Sequence, residues 1–91
     1  MPRLKNVRKK IVRVEKFRVR FHHPDGRNMR GDRRGVPQYD YERKAKGNLT
    51  VREWKDIRFY PNYVGFEIEV LNAEGTAVVG NTRLSTVRDS Y

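Results

Sequence analysis

Polar and apolar positions alternate most clearly at two places in this chain. From Phe17 to Phe21 the order is Phe17, Arg18, Val19, Arg20, Phe21, the period of two of a half-buried strand. From Phe66 to Leu71, Phe66, Ile68 and Val70 alternate with Glu67 and Glu69 in the same way. Ile11–Phe21 as a whole has β-type composition, but its phase changes near Glu15–Lys16. Val12 and Val14 share one face, whereas Phe17, Val19 and Phe21 share another. A bulge or bend at the change would reconcile the two halves. Before Ile11 there is little apolar material among five basic residues, which predicts a flexible basic arm over 1–10.

Helical spacing takes over at Thr50. Thr50 with Glu53 forms a capping box, flanked by Leu49 and Trp54 at the staple positions. Val51, Trp54 and Ile57 then fall on one face, and Pro61 stops the helix by Phe59 or Tyr60. The expected helix is 51–59, with Trp54 buried. Pro24-Asp25-Gly26 reads as a turn, and Asn72-Ala73-Glu74-Gly75 as a hairpin turn returning through Thr76–Val79. Leu84, Val87 and Tyr91 have helical spacing, though a last strand is equally compatible.

Between Arg27 and Gly47 the only sizeable apolar groups are Met29, Val36, Tyr39 and Tyr41. So long a loop is uncommon without a function. A second strand over Gln38–Lys44 would shorten it, with residues 22–35 as a long basic hairpin tip. The elements add up to an α+β fold, a helix packed on a small antiparallel sheet. A β-grasp-like or split arrangement is compatible. The expected organisation is an arm at 1–10 and one α+β domain at 11–91, since 91 residues suffice for a single small core.

Charge sharpens this outline. Residues 1–47 carry 16 Lys+Arg against 5 Asp+Glu, whereas residues 48–91 carry 5 against 6. A split of that size points to a polyanion partner. Arg outnumbers Lys 14 to 7, and the guanidinium fork suits phosphate better than an ammonium point charge. The expected anchors are Arg18 and Arg20 on the first strand, Arg27, Arg30, Arg33 and Arg34 in the loop, and Arg43, Lys44 and Lys46, which close or follow the second strand. The leading expectation is a basic module that contacts the phosphate backbone of DNA or RNA, largely without sequence specificity.

Two alternatives stand beside it. One is a small metal-independent RNase-like enzyme, drawing on His22 or His23, Glu42 or Glu53 and several Arg. No spacing signature selects among these, and Glu53 is already committed to the helix cap, so the reading leans away from an enzyme and names no catalytic residue. The other is a protein-interaction module whose basic loop docks on an acidic partner protein.

The run His22-His23-Pro24-Asp25-Gly26-Arg27-Asn28 resembles the start of a ββα-metal nuclease site over those few residues alone. Such sites need a further His or Asn on a following helix, and the chain has no third His. Adjacent strand residues also point to opposite faces, so no metal and no cofactor is expected. There is no cysteine, and no segment reaches the roughly 20 apolar residues of a membrane span. Arg and Lys interrupt Ile11–Phe21 too often for a signal peptide. A cytoplasmic protein without a membrane partner is the resulting expectation.

Overall fold

The computed structural model describes residues 3–91. Its first element is a helix, α1, over Leu4–Glu15. Leu4, Val7, Ile11 and Val14 recur at helical spacing, and all are buried. This corrects the arm expected over 1–10 and the strand expected from Ile11. Met1 and Pro2 of that arm lie outside the described residues. The β-branched residues that suggested a strand are mediocre helix formers, but packing an apolar face outweighs propensity.

The change of phase at Glu15–Lys16 marks the end of this helix. Lys16 adopts φ 66°, and its amide donates to the Val12 carbonyl at 3.0 Å, a left-handed C-cap. The chain then enters strand β1, Arg18–His22. Phe17, Val19 and Phe21 point inward as expected.

β1 pairs antiparallel with β2, Glu67–Leu71, matching Arg18 to Leu71, Arg20 to Glu69 and His22 to Glu67. The sheet has these two strands. With the three α-helices among the described residues, it supports the α+β class and no finer topology. No strand forms over Gln38–Lys44. The return at Thr76–Val79 makes one bridge, Leu71 to Ala77, in place of a strand. The turn before it is built as expected: Gly75 takes φ 80°, and Asn72 Oδ1 accepts from the amides of Glu74 and Thr76.

The long segment after β1 is irregular but anchored. Met29, Val36, Tyr39 and Ala45 bury their side chains in the core. Its carbonyls also serve two helix starts. Those of Arg33 and Gly31 accept from the Leu4 and Lys5 amides of α1, each at 2.9 Å. Arg3 offers no side-chain cap, so the loop satisfies donors that would otherwise be orphaned. At the other end, the carbonyls of Leu49 and Gly47 accept from Leu84 and Ser85, the first residues of α3, Leu84–Asp89. A Cβ at Gly47 would meet the Ser85 Cβ at 3.0 Å, so this close approach needs glycine.

The capping box at Thr50 and Glu53 is present in both directions. It opens α2, Val51–Trp54, which runs directly into a π-helical turn over Lys55–Phe59. The Tyr60 amide donates back to the Lys55 carbonyl at 2.8 Å. The wider turn brings Phe59 inward and leaves Ile57 55% exposed, which corrects the face predicted from a regular helix. Trp54 is fully buried, with Phe17 edge-on at 5.2 Å, and Phe59 stacks on Tyr63 at 4.7 Å.

Candidate nucleic-acid interface

The expected anchors occupy three places. Arg18 and Arg20 stand on the outer face of β1 and are exposed. Because β1 pairs with β2, the same face carries Glu67 and Glu69, and Arg20 sits directly opposite Glu69. The cationic hairpin of two basic strands is therefore not formed. Arg18 has no carboxylate opposite it. It lies opposite Leu71, donates to the Ala73 carbonyl at 2.8 Å, and holds its guanidinium 5.7 Å from the Tyr91 ring centre.

The loop residues differ among themselves. Arg27 folds back on Asp25 through both its amide (3.0 Å) and its Nε (2.7 Å). The amide bond holds the Asp25 carboxyl below its ordinary range, helped by the guanidinium. Arg30 has Asp32 at 3.9 Å, and Arg33 lies over the Phe66 ring. Arg34 is exposed and has no ion-pair partner among the described residues. The carbonyl bonds of Gly31 and Arg33 fix this part of the loop at the N-terminus of α1, beside Lys5.

Arg43, Lys44 and Lys46 are exposed at the opposite end of the same helix. The amide of Ala45, between them, donates to the Glu15 carboxylate at 2.8 Å. Helix α1 thus joins two of the three groups, across about 18 Å of helix.

The joining helix is itself the most basic element, and none of its residues is among the expected anchors. Lys5, Lys9 and Arg13 are exposed one turn apart, about 6 Å by helical rise. Arg8 lies at the flank facing β1, and Lys10 pairs with Glu42 at 2.9 Å. A concavity of about 260 Å³ opens among Asn6, Lys9, Lys10 and Arg13. The signal was present in the sequence: Leu4, Val7, Ile11 and Val14 have helical spacing, and basic residues fill the complementary positions.

Two arginines outside this surface have a structural task. Glu15 is completely buried. Its carboxylate accepts from Arg58 at 2.7 Å, from Arg88 at 3.2 Å, from the Ala45 amide and from the Tyr39 hydroxyl. Arg88 also donates to the carbonyls of Glu15 (2.7 Å) and Ala45 (2.8 Å), tying α3 to the end of α1. Burial, reinforced by the Glu15 carboxylate, pushes the Tyr39 hydroxyl well above its ordinary pKa. Burial tends to lower Arg58, but Tyr39 and Glu15 outweigh it and hold the guanidinium above its usual value. For Arg88 burial wins, and the shift is downward.

The parts proposed for RNase-like chemistry are engaged separately. His22 is buried and abuts Glu69, and its neighbour His23 is half-buried in the following turn. Glu42 pairs with Lys10, whose hydrogen bond holds the carboxyl below its usual range. Glu53 accepts the Thr50 amide, which lowers it likewise. Among the described residues, no three His, Asp or Glu side chains gather as a metal site would require. No helix among them is long and apolar enough to cross a membrane.

The chain matches no protein-family model, no curated protein and no solved structure.

Proposed function

We propose that this chain is a basic nucleic-acid-binding module that grips backbone phosphates without reading sequence. The observation that carries the proposal is the state of its cations. Lys5, Lys9 and Arg13 form an exposed row on α1, with Arg34 of the docked loop at one end and Arg43, Lys44 and Lys46 at the other. None of these seven has a carboxylate within ion-pair distance among the described residues. Cations that serve only the fold would be expected to hold internal acceptors, as Arg58 and Arg88 do. A row at helical spacing displaces several condensed counterions at once when laid along a phosphate chain.

The test is a salt titration of binding to generic DNA and RNA. Log affinity should fall linearly with log salt, each engaged phosphate adding about 0.9 to the slope on duplex DNA. Neutralising Lys5, Lys9 and Arg13 together with Gln should reduce the slope by up to about 3 on that scale. The Arg30, Arg33 and Arg34 triple should reduce it less, because Arg30 and Arg33 already have internal contacts. Slopes unchanged in both triples would refute the proposal.

A further inference from the structure

The basic helix and the first strand leave open space between them. Arg8, Val12 and Lys16 succeed one another along the flank of the helix, and opposite them run Phe17 and the first residues of β1. Two connected concavities lie between. One, of about 270 Å³, is lined by Arg8, Val12, Arg18, Val19, Arg20 and Leu71. The other, of about 430 Å³, is lined by Val12, Lys16, Phe17, Arg18 and Tyr91. They share Val12 and Arg18, so they form one groove. Its first half has arginines on both walls above an apolar floor. Its second half is almost wholly apolar and ends at an aromatic ring.

That ring is fixed in place. The Tyr91 hydroxyl accepts from the Arg18 amide at 2.7 Å and donates to the Leu71 carbonyl, closing the end of the β1–β2 ladder. Half of Tyr91 nevertheless remains exposed (49%). Arg18 is fixed as well, between the Ala73 carbonyl and the Tyr91 ring. Both groups are therefore preorganised, and little side-chain freedom remains to be lost on binding. Within the arginine half, Glu69 faces Arg20. Arg8 and Arg18 have no carboxylate in ion-pair range among the described residues, so both are available to a ligand, with Arg20 beside them and Lys16 along the apolar half.

We infer that this groove binds a single-stranded segment of nucleic acid, with a phosphate between Arg8 and Arg18 and the adjoining base stacked on Tyr91. The inference rests on the phosphate-binding proposal and narrows its substrate. A cationic track beside an exposed, rigid aromatic face is the arrangement that single strands favour, since their bases are free to stack. In a duplex the bases are already stacked on one another and offer no face to Tyr91. An apolar half-groove would then gain nothing.

The test compares a fluorescent oligothymidylate, an oligouridylate and a duplex of mixed sequence, with the full chain at one salt concentration. Tyr91→Leu should weaken both single strands at least about fivefold, the lower end of one base–aromatic stack, and leave the duplex unchanged. Tyr91→Phe keeps the ring and should keep most of the affinity, even where its melting temperature drops with the lost hydroxyl bonds. Arg8→Gln, at the far end of the groove and on the surface, should weaken single strands without changing the melt. A bromouridine-substituted strand should crosslink to the peptide that contains Tyr91. Equal affinity of Tyr91→Leu and the unaltered protein for both single strands overturns the inference, as does crosslinking confined to other peptides. If the Lys5, Lys9 and Arg13 triple still flattens the salt slope in that event, phosphate binding stands and only the groove falls. If no nucleic acid binds with salt dependence, both fall.

Discussion

The two ends of the arginine inventory behave as different residues. Arg58 and Arg88 converge on a buried carboxylate, and their side chains are only 18% and 12% exposed. Arg34 and Arg43 stand in water with no acidic neighbour in range among the described residues. The difference is set by where the chain places its few carboxylates. Glu15, the last residue of α1, is carried into the core, and arginines from α3 and the π-helical turn must follow it to offset the loss of hydration. On the exposed face of α1, Glu42 pairs with Lys10, while Lys5, Lys9 and Arg13 have no carboxylate within ion-pair distance among the described residues. One guanidinium set holds the fold together, and the other meets no carboxylate among the described residues.

The sharpest way to break this contrast is Glu15→Ala. It strands two guanidinium groups and the Tyr39 hydroxyl in the interior. Removing one partner of a buried ion network costs about 3–5 kcal/mol, a large part of the stability of a chain this size. Urea unfolding should show the loss, and a change below 1 kcal/mol would mean that Arg58 and Arg88 find water instead. By contrast, the triple Gln variant of Lys5, Lys9 and Arg13 should unfold at nearly the same urea concentration as the unaltered protein, since each is a surface change.

A second prediction concerns alkali. Burial raises the hydroxyls of Tyr39 and Tyr63, and Tyr60, which donates to Glu67 at 2.7 Å, is pushed up to about 12, first by burial and then by that carboxylate. Each is raised in the folded chain, so the unfolded chain loses its protons first. The stabilisation is complete below pH 10, the ordinary tyrosine value, and declines as pH rises through it toward the folded values. Tyrosinate absorbance should therefore develop in two stages, the later one coinciding with unfolding by circular dichroism. A single stage at the ordinary value would show these hydroxyls to be solvated.

Smaller still is the effect of Thr50→Ala. It removes the acceptor for the Glu53 amide and should cost about 1 kcal/mol. The companion Glu53→Gln keeps the reciprocal bond but not the charge. Glu53 lies below its ordinary pKa in the fold, so its contribution is present above the unfolded carboxyl value and fades as pH falls through the folded one. In acid titrations of stability, Glu53→Gln should flatten that part of the curve.

How much of this was legible beforehand depends on the range of the interactions involved. The capping box, the inward set of β1, the alternation of β2 and the turn at Asn72–Gly75 are local, and each appears where the sequence placed it. Helix α1 departs from the expected arm and strand because Ile11–Val14 contains residues that favour strands, while the spacing back to Leu4 and Val7 shows the helix. The partner of β1 was misassigned because Gln38–Lys44 alternates as well as β2 does. Only the core decides between them, and it takes Tyr39 and Ala45 as anchors of an irregular segment. Of the candidate site, the charge bias was visible, as were the nine named cations. Their division among the sheet, the docked loop and the end of α1 was not, because it follows from pairings dozens of residues apart. Glu15 as the hub of the core could not be read, since nothing local marks a carboxylate for burial.

The least expected of the structural findings leads to the smallest predicted effect. A regular helix from Val51 would place Ile57 on the face of Trp54, and truncating it would then leave a cavity worth about 2–5 kcal/mol. The π-helical turn changes the count. Trp54 is followed into the core by Phe59, five residues on, and Ile57 faces solvent beside Asp56. Ile57→Ser should accordingly alter stability by no more than about 0.5 kcal/mol, whereas Phe59→Ala should cost about 3–5 kcal/mol. The ratio of the two, measured by urea unfolding, reports the turn directly. Comparable losses at both positions would mean that the helix runs on with its ordinary period. Residues 55–59 would then present a different edge toward Glu15, and the contact of Arg58 with its carboxylate would have to be made from another position.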